Sequence, residues 1–436
     1  MNRPAMLSVS EARARLLGGA RPVVEIESVP TMEATGRILA RSVSSSINVP
    51  DHDNSSMDGY AVRAAECASG AACLPVSQRV PAGTVPQPLQ PGTAARIFTG
   101  APIPPGANAV VMQEQTRAEG DKVTINHRPA AGEWLRYAGE DIRTGQVVLE
   151  AGTRLRPQET GLLASIGLAT VPVFRKVRVA VFFTGDELVM PGEPLPKGAI
   201  YNSSRFTLTS MLRELGCEVT DLGIVEDTLA ATRAALRAGA QGYDLIMTSG
   251  GVSVGEEDHV KPAVEAEGRI DMWKIAMKPG KPLAFGAVRR PGSGAATVHA
   301  AGGSTSTADA TTNGVDATAQ GAGEAAFIGL PGNPVSSFVC VLLFVRPFVR
   351  RLQGAVDQPA RVYPMRADFE WPRPDAREEF LRARVNAQGG LDIYPNQNSS
   401  VLTSTVWGDG LVDNPPHTAI AKGDTVQFLP FSDLLW

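Results

Sequence analysis

From Val177 onward the chain alternates apolar strand-like runs with amphipathic segments, and this alternation restricts the fold more than any other feature. VRVAVFFTG is a buried-strand run ending in glycine, and CEVTDLGIV, YDLIMTSGG, KPLAFGAV and AAFIGLPG repeat the pattern. Between them, NSSRFTLTSMLRELG carries Leu208, Met211, Leu212 and Leu215 on one helical face. DTLAATRAALRAGA predicts a helix capped by Asp227, and NPVSSFVCVLLFVRPFVRRLQG predicts a long one. Strands alternating with helices predict a doubly wound parallel sheet.

The flanks have a different texture. LSVSEARARLLG predicts a short helix with a serine cap and a terminal glycine. Residues 22–150 hold short runs rich in Val, Ile, Pro and Gly, as expected of β structure with tight turns, and PQETGLLASIG returns to helix. Residues 361–436 again predict short strands and Gly/Pro turns. The expected fold is therefore a multidomain α/β protein. A central doubly wound parallel sheet lies between β-rich N-terminal domains and a C-terminal β-barrel-like domain. Residues 291–326 are nearly all Gly, Ala, Ser and Thr, with Val298 and Val315 the only large aliphatics. Such a segment buries too little surface to offset its ordering entropy, so it is predicted to be a disordered insertion.

Composition excludes some functions. Lys plus Arg number 41 and Asp plus Glu 45, a net charge of −4, which gives no general reason to expect nucleic acid as a partner. The four cysteines are scattered without a CxxC, which fits a reduced, cytoplasmic setting. The N-terminus has no apolar core of signal-peptide length, and SSFVCVLLFV is too short to span a bilayer. A soluble protein without membrane partners is expected.

Ligands of open α/β sheets sit outside the carboxyl ends of the strands. Here those ends read TGDEL, IVED, TSGGVSVGEED, MKPGKP and GLPGNPVS. Gly250, Gly251 and Gly255 let backbone amides approach a phosphate, while Glu256, Glu257 and Asp258 suit hydroxyls, amines or a divalent cation. Each piece alone is equally compatible with a solvated strand end, a helix cap or a turn. Their convergence on consecutive strand ends favours a site.

In order along the chain, DNSSMDGYAV, IFTGAPIPPGANAVV, RYAGEDI, VAVFFTGDEL, YDLIMTSGGVSVGEEDHVK, KIAMKPGKPLAFG and FIGLPGNPVSSFV resemble the motifs of the molybdopterin molybdenumtransferases, bacterial relatives of the gephyrin E domain. The resemblance runs from about residue 50 to 345 and continues more weakly to the C-terminus. It implies insertion of molybdate into adenylylated molybdopterin with release of AMP, assisted by Mg²⁺, in a homodimer with its site at a domain junction. Other proteins of molybdenum-cofactor biosynthesis would be partners. The expected organisation is four-part. A segmented elongated domain spans 1–45 and 141–176, and a β-rich domain spans 46–140. The α/β molybdopterin-binding domain spans 177–355, and the C-terminal domain spans 356–436.

By motif position, the resemblance implies an active-site set of Asp58, Thr99, Glu187, Asp227 and Asp258, with Asp186, Glu187 and Asp258 binding the cation. Gly250, Gly251, Ser253, Gly255, Pro331 and Pro334 would contact substrate. Lys278, Lys281 and Ser336 would bind molybdate, joined by Arg377 from REEFLR. Where the family has a Q-G-S turn this chain has QNSS, so Ser399 is the matching hydroxyl and Asn398 is expected to take the left-handed conformation of the glycine. The insertion between KPLAFG and FIGLPGNP is expected to loop away from the ligand end. Two other classes remain open: a molybdopterin adenylyltransferase-type enzyme on the same sheet, and a gephyrin-like scaffold. Consumption of ATP with molybdopterin and no molybdate would mark the first. Function that survives loss of Asp258 would mark the second.

Overall fold

The structure is a computed structural model that describes residues 6–252, 258–291, 323–356 and 358–435. The chain divides into two compact units. One comprises Met1–Glu27, Gly36–Ile38 and Phe174–Trp436, and the other Ser28–Thr35 and Leu39–Val173.

The second unit is built on a six-stranded sheet in the order Ala109–Met112, Gly59–Val62, Ala94–Ile97, Ala72–Val80, Lys122–Ile125 and Thr116–Glu119. Its strands alternate side chains between two apolar clusters, with Tyr60, Val62 and Val111 in one and Ala61, Ala95 and Val110 in the other. Gly59, inside the MDGYAV motif, packs against the neighbouring strand so closely that a Cβ would lie 1.9 Å from the Val111 carbonyl oxygen. A third cluster in this unit gathers Leu155, Leu163 and Val171 around the predicted helix, which runs from Pro157 to Ser165.

The first unit contains the α/β sheet. Its strand order is Glu218–Val225, Arg178–Thr184, Leu245–Ser249, Glu324–Leu330, Pro282–Arg289 and Gly268–Lys274. The first four strands are mutually parallel. Pro282–Arg289 runs antiparallel to Glu324–Leu330, and Gly268–Lys274 antiparallel to Pro282–Arg289, so the sheet is parallel in its centre and mixed at one edge, with a single reversed strand. KPGKP therefore reaches the ligand end at the start of its strand, whereas the sequence places it at a carboxyl end. Gly268–Lys274 was not expected as a strand, because its charged residues hide an edge position. Arg269 there pairs with Asp271 and with Glu324.

Helices cover both faces. Ser203–Glu214 and the run from Pro334 to Leu352 pack on one side, where Leu208, Met211, Leu212 and Leu215 are all buried as their spacing predicts. Each contributes about 2 kcal/mol of burial. Leu229–Ala240 and Val260–Glu267 cover the other side. The predicted long helix contains a π turn over Val341–Val345, just before Pro347, which has no N–H to donate. The N-terminal helix, Val9–Gly19, has Ser8 and Glu11 as a capping box. It buries Ala12 and Leu16 in the α/β core, although the sequence grouped it with residues 141–176.

Beside this sheet in the same unit lies a second one, in the order Met277–Lys278, Glu378–Val385, Gly410–Asn414, Thr425–Pro430 and Tyr363–Arg366, with Leu391–Ile393 also on Glu378–Val385. Its first strand comes from the KPG stretch: Met277 pairs with Glu378 and Lys278 with Glu379, in parallel.

The predicted insertion of 291–326 is shorter than expected at its far end, because Glu324–Ala326 belong to a strand that pairs with Ala287–Arg289. Residues 292–322 lie outside the described residues. Their flanks close a hairpin through Arg290 N to Gly323 O, 2.8 Å, at the end of the strand opposite Leu330 and GNPVS. Replacing 292–322 with a short Gly/Ser turn is expected to leave the melting temperature and activity nearly unchanged, since loop-closure entropy varies slowly with length. Differential scanning calorimetry and a turnover assay check this.

Candidate active site

The parallel strands of the first unit end at a cleft of about 900 Å³. Thr184 closes the first strand, and its hydroxyl donates to Asp227 Oδ1 at 2.9 Å. Asp227 is not the helix cap that the sequence predicts. Thr228 takes that role, its side chain accepting from Ala231 N, which leaves the Asp227 carboxylate to the cleft. Gly185 follows with φ +147°, and a Cβ there would lie 2.7 Å from Glu187 Oε2.

The neighbouring strand delivers Gly250 and Gly251, both at positive φ. A Cβ on Gly250 would sit 2.4 Å from the Thr184 carbonyl oxygen, so backbone meets backbone with no room for a side chain. The adjoining strand brings Leu330 and the PGNPVS turn, anchored where Ser249 Oγ donates to the Pro331 carbonyl at 2.9 Å. Pro331, Pro334 and the buried Ser336 all line the cleft.

The opposite wall is cationic. Lys278, Lys281 and Arg377 border the same cleft. Pairing of the KPG stretch with Glu378–Val385 brings Lys278 beside Arg377 across 99 residues of sequence (377 − 278). Acids unnoticed in the sequence hold these cations. Lys278 Nζ lies 3.0 Å from Glu379 Oε1 and 3.5 Å from Asp375 Oδ2. Arg377 makes a bidentate pair with Asp375 at 3.0 and 2.9 Å. That pair raises the Arg377 pKa and holds the Asp375 carboxyl well below its usual range. The acids were visible in PDAREEF, but nothing local shows that they face a lysine from another segment. Lys281 is exposed and has no ion pair among the described residues.

Gln397, Asn398, Ser399 and Ser400 complete the wall. Ser399 O accepts from Val335 N at 3.0 Å, tying this turn to the PGNPVS turn. Asn398 does not take the predicted left-handed conformation; among the described residues the non-glycine positions with positive φ are Trp134 and His417. The turn is closed instead by Asn398 N donating to Asn396 Oδ1 at 3.0 Å and Val401 N donating to Asn398 O at 3.2 Å. This bonding replaces the backbone freedom that a glycine would supply.

Asp258 opens the helix Val260–Glu267 and is half-buried. Neither carboxylate oxygen has a full hydrogen bond. Burial pushes this carboxyl up to about 6; the amides of Val260 and Lys261 oppose the rise, and the negative Asp227 adds to it. A half-buried, underbonded carboxylate close enough to a second acid to feel its charge suits a divalent cation. Among the described residues no three acidic, histidine or cysteine side chains gather as a metal centre. Asp186 is exposed and does not border the cleft, whereas Glu187 does. Ser253 and Gly255, with Glu256 and Glu257, lie outside the described residues.

Asp58 and Thr99 belong to the other unit, where they meet. Thr99 N and Thr99 Oγ1 each donate to Asp58 Oδ1 at 2.8 Å. The Thr99 amide, then its hydroxyl, lowers the Asp58 pKa and keeps it an oriented anion.

Comparison with known proteins agrees along the whole chain. Residues 7–167 match the MoeA N-terminal region (domain I and II), 180–351 a probable molybdopterin binding domain, and 364–431 the MoeA C-terminal region (domain IV). The molybdopterin molybdenumtransferase of Haemophilus influenzae is 37% identical over 439 residues, 99% of this chain and 100% of its own. Molybdopterin molybdenumtransferase 2 of Mycobacterium tuberculosis is 36% identical over 97% of this chain and 99% of its own. The molybdopterin biosynthesis moeA protein of Pyrococcus horikoshii OT3 superposes with a TM-score of 0.79 at 25% identity, covering 98% of this chain and 100% of that one. The chain belongs to the molybdopterin molybdenumtransferase (MoeA) family.

Proposed function

We propose that this protein inserts molybdate into adenylylated molybdopterin and releases AMP. The observation that carries the reading is the division of one cleft into two chemistries: side-chain-free glycine backbone with the acids Glu187 and Asp227 on the α/β side, and Lys278, Lys281 and Arg377 with two hydroxyl residues on the other. The Gly251 amide suits a pyrophosphate, the Gly250 amide being taken by the Leu330 carbonyl at 3.2 Å, and cations with Ser336 and Ser399 suit a small tetrahedral dianion. Asp375 and Glu379 keep Arg377 and Lys278 oriented before the anion arrives, which lowers the entropy lost on binding. Asp258, beside Asp227 and with Glu187 of the cleft lining, is the proposed holder of Mg²⁺, and its underbonded carboxylate fits that role, whereas Asp186 lies outside the lining. When bound, the ion would neutralise charge on the pyrophosphate oxygens. Asp227, held by Thr184, orients the acidic side of the cleft. The proposed assembly is a homodimer, which light scattering tests.

The reading is tested by mixing purified protein, adenylylated molybdopterin, Mg²⁺ and molybdate, and measuring AMP. Molybdate-stimulated release is expected; its absence refutes the assignment. Changing Lys278 and Lys281 together to Ala is expected to raise the half-saturating molybdate concentration by about tenfold or more, the scale of a lost charge-assisted contact. Pterin affinity should change much less. An unchanged molybdate dependence would remove both lysines from the anion site.

A further inference from the structure

Behind the turn that carries Ser399 sits a cation without an anion. Arg382 is 1% exposed and among the largest fully buried side chains of the protein. Among the described residues its guanidinium reaches only neutral acceptors: Ser404 Oγ at 3.1 Å from Nε, Phe380 O at 3.2 Å from Nη1, and Asn398 O at 3.4 Å from Nη2. Burial alone pushes its pKa down to about 10, and no carboxylate opposes that fall. A buried charge without a counterion destabilises a fold, and an apolar residue of similar size is often better tolerated. The position therefore calls for a reason outside stability.

The reason lies in the geometry of the turn. Arg382 is bound to it twice through the backbone as well: Arg382 N donates to Gln397 Oε1 at 2.9 Å, and Gln397 Nε2 donates to Arg382 O at 3.0 Å. The guanidinium draws the Asn398 carbonyl toward the strand. The peptide that follows is trans, so the Ser399 N–H points the opposite way, away from the strand. Neither the Ser399 nor the Ser400 amide finds an acceptor among the described residues, and both residues border the cleft. From the other side Val335 N holds the Ser399 carbonyl.

We propose that Arg382 is a positioning residue for the oxyanion subsite: it aims the Ser399 amide into the cleft and sets an uncompensated positive charge behind the turn, so that a tetrahedral dianion bound in front becomes its counterion. This rests on the anion-binding reading of the cleft and adds a residue that does not itself touch the ligand. The subsite is thereby a shell of two kinds of cation. Lys278 and Arg377 are already ion-paired and give direction, whereas Arg382 gives unneutralised field.

The test is molybdate binding to the full chain, by calorimetry at constant ionic strength, for wild type, R382M and R382K, with melting temperature measured in parallel. R382M is expected to melt at or above the wild-type temperature, because it removes a desolvated charge. It is also expected to bind molybdate about tenfold more weakly, the scale of one charge-assisted contact. R382K keeps the charge and should lie within about threefold of wild type, a third or less of the loss expected for R382M. Gain of stability with loss of anion affinity is a pair that a structural arginine cannot produce. If R382M is unfolded or clearly less stable, and R382K binds as poorly as R382M, the side chain is structural and the inference fails. If wild type binds molybdate and R382M binds it equally, the inference alone fails. If wild type binds no molybdate, the anion-binding reading fails with it.

Discussion

Asp258→Asn is expected to leave the protein folded and to lower AMP release by about 100- to 1,000-fold, the effect of losing one preorganised electrostatic group. Asparagine keeps the shape of the side chain and removes a charge that burial and Asp227 already disfavour. The fold therefore loses nothing, and the melting temperature should equal or exceed that of wild type. Function loses the carboxylate best suited to hold a cation, with both oxygens underbonded. Binding of the adenylylated pterin should persist, because the glycine backbone at Gly250 and Gly251 is untouched. Single-turnover AMP release, with substrate binding measured separately, distinguishes these effects. Normal turnover would return Asp258 to the role of a loop acid before a helix.

Glu379→Ala is expected to cost about 2 kcal/mol of stability, the scale of leaving buried donors without their acceptor, because the Lys278 end of the ion pair is 40% exposed and solvent replaces it. Glu379 is 1% exposed. Its Oε1 faces Lys278 Nζ at 3.0 Å, and its Oε2 accepts from Trp371 Nε1 at 2.8 Å and from Asp375 N at 3.0 Å. It thus joins the strand of Lys278, the loop of Arg377 and the core of the C-terminal sheet. The urea midpoint should fall, and the molybdate dependence should weaken as Lys278 loses its orientation. Glu379→Gln retains an acceptor for Trp371 and Asp375 but presents no charge to Lys278. It should recover most of the stability and little of the molybdate dependence. A loss below about 1 kcal/mol for the alanine variant, the size of an exposed pair, would show that solvent replaces these contacts.

Much of the architecture was legible because its signals are local. The spacing of Leu208, Met211, Leu212 and Leu215 specifies one buried helical face whatever lies beneath it. Ser8 and Glu11 are three residues apart, and the capping box they form needs no tertiary partner. Gly250 and Gly251 sit in a loop composition that suits neither helix nor strand, and the structure places them against Thr184 as a close backbone approach. The misread pieces share one property: their state depends on distant residues. Asp227 was expected as a cap from its position before a helix, but Thr184 claims its carboxylate and Thr228 caps the helix. Asn398 was expected to replace glycine by its backbone conformation, but Arg382, Asn396 and Val401 hold the turn by hydrogen bonds. Gly268–Lys274 became an edge strand only through Pro282–Arg289.

By itself, then, the sequence determined which segments are strands or helices in the α/β core, which loops carry glycines and acids, and the family to which the chain belongs. Tertiary structure alone decided that KPGKP enters from an antiparallel strand, that Lys278 stands beside Glu379, and that Arg382 lies buried behind Ser399 with no counterion among the described residues. The physical reason is the range of the interactions. Periodicity, capping and turn chemistry act over three or four residues, so a short stretch contains all the information. Ion pairing and desolvation act through space between segments about a hundred residues apart, and their sign and size are set only when the fold removes the water between them.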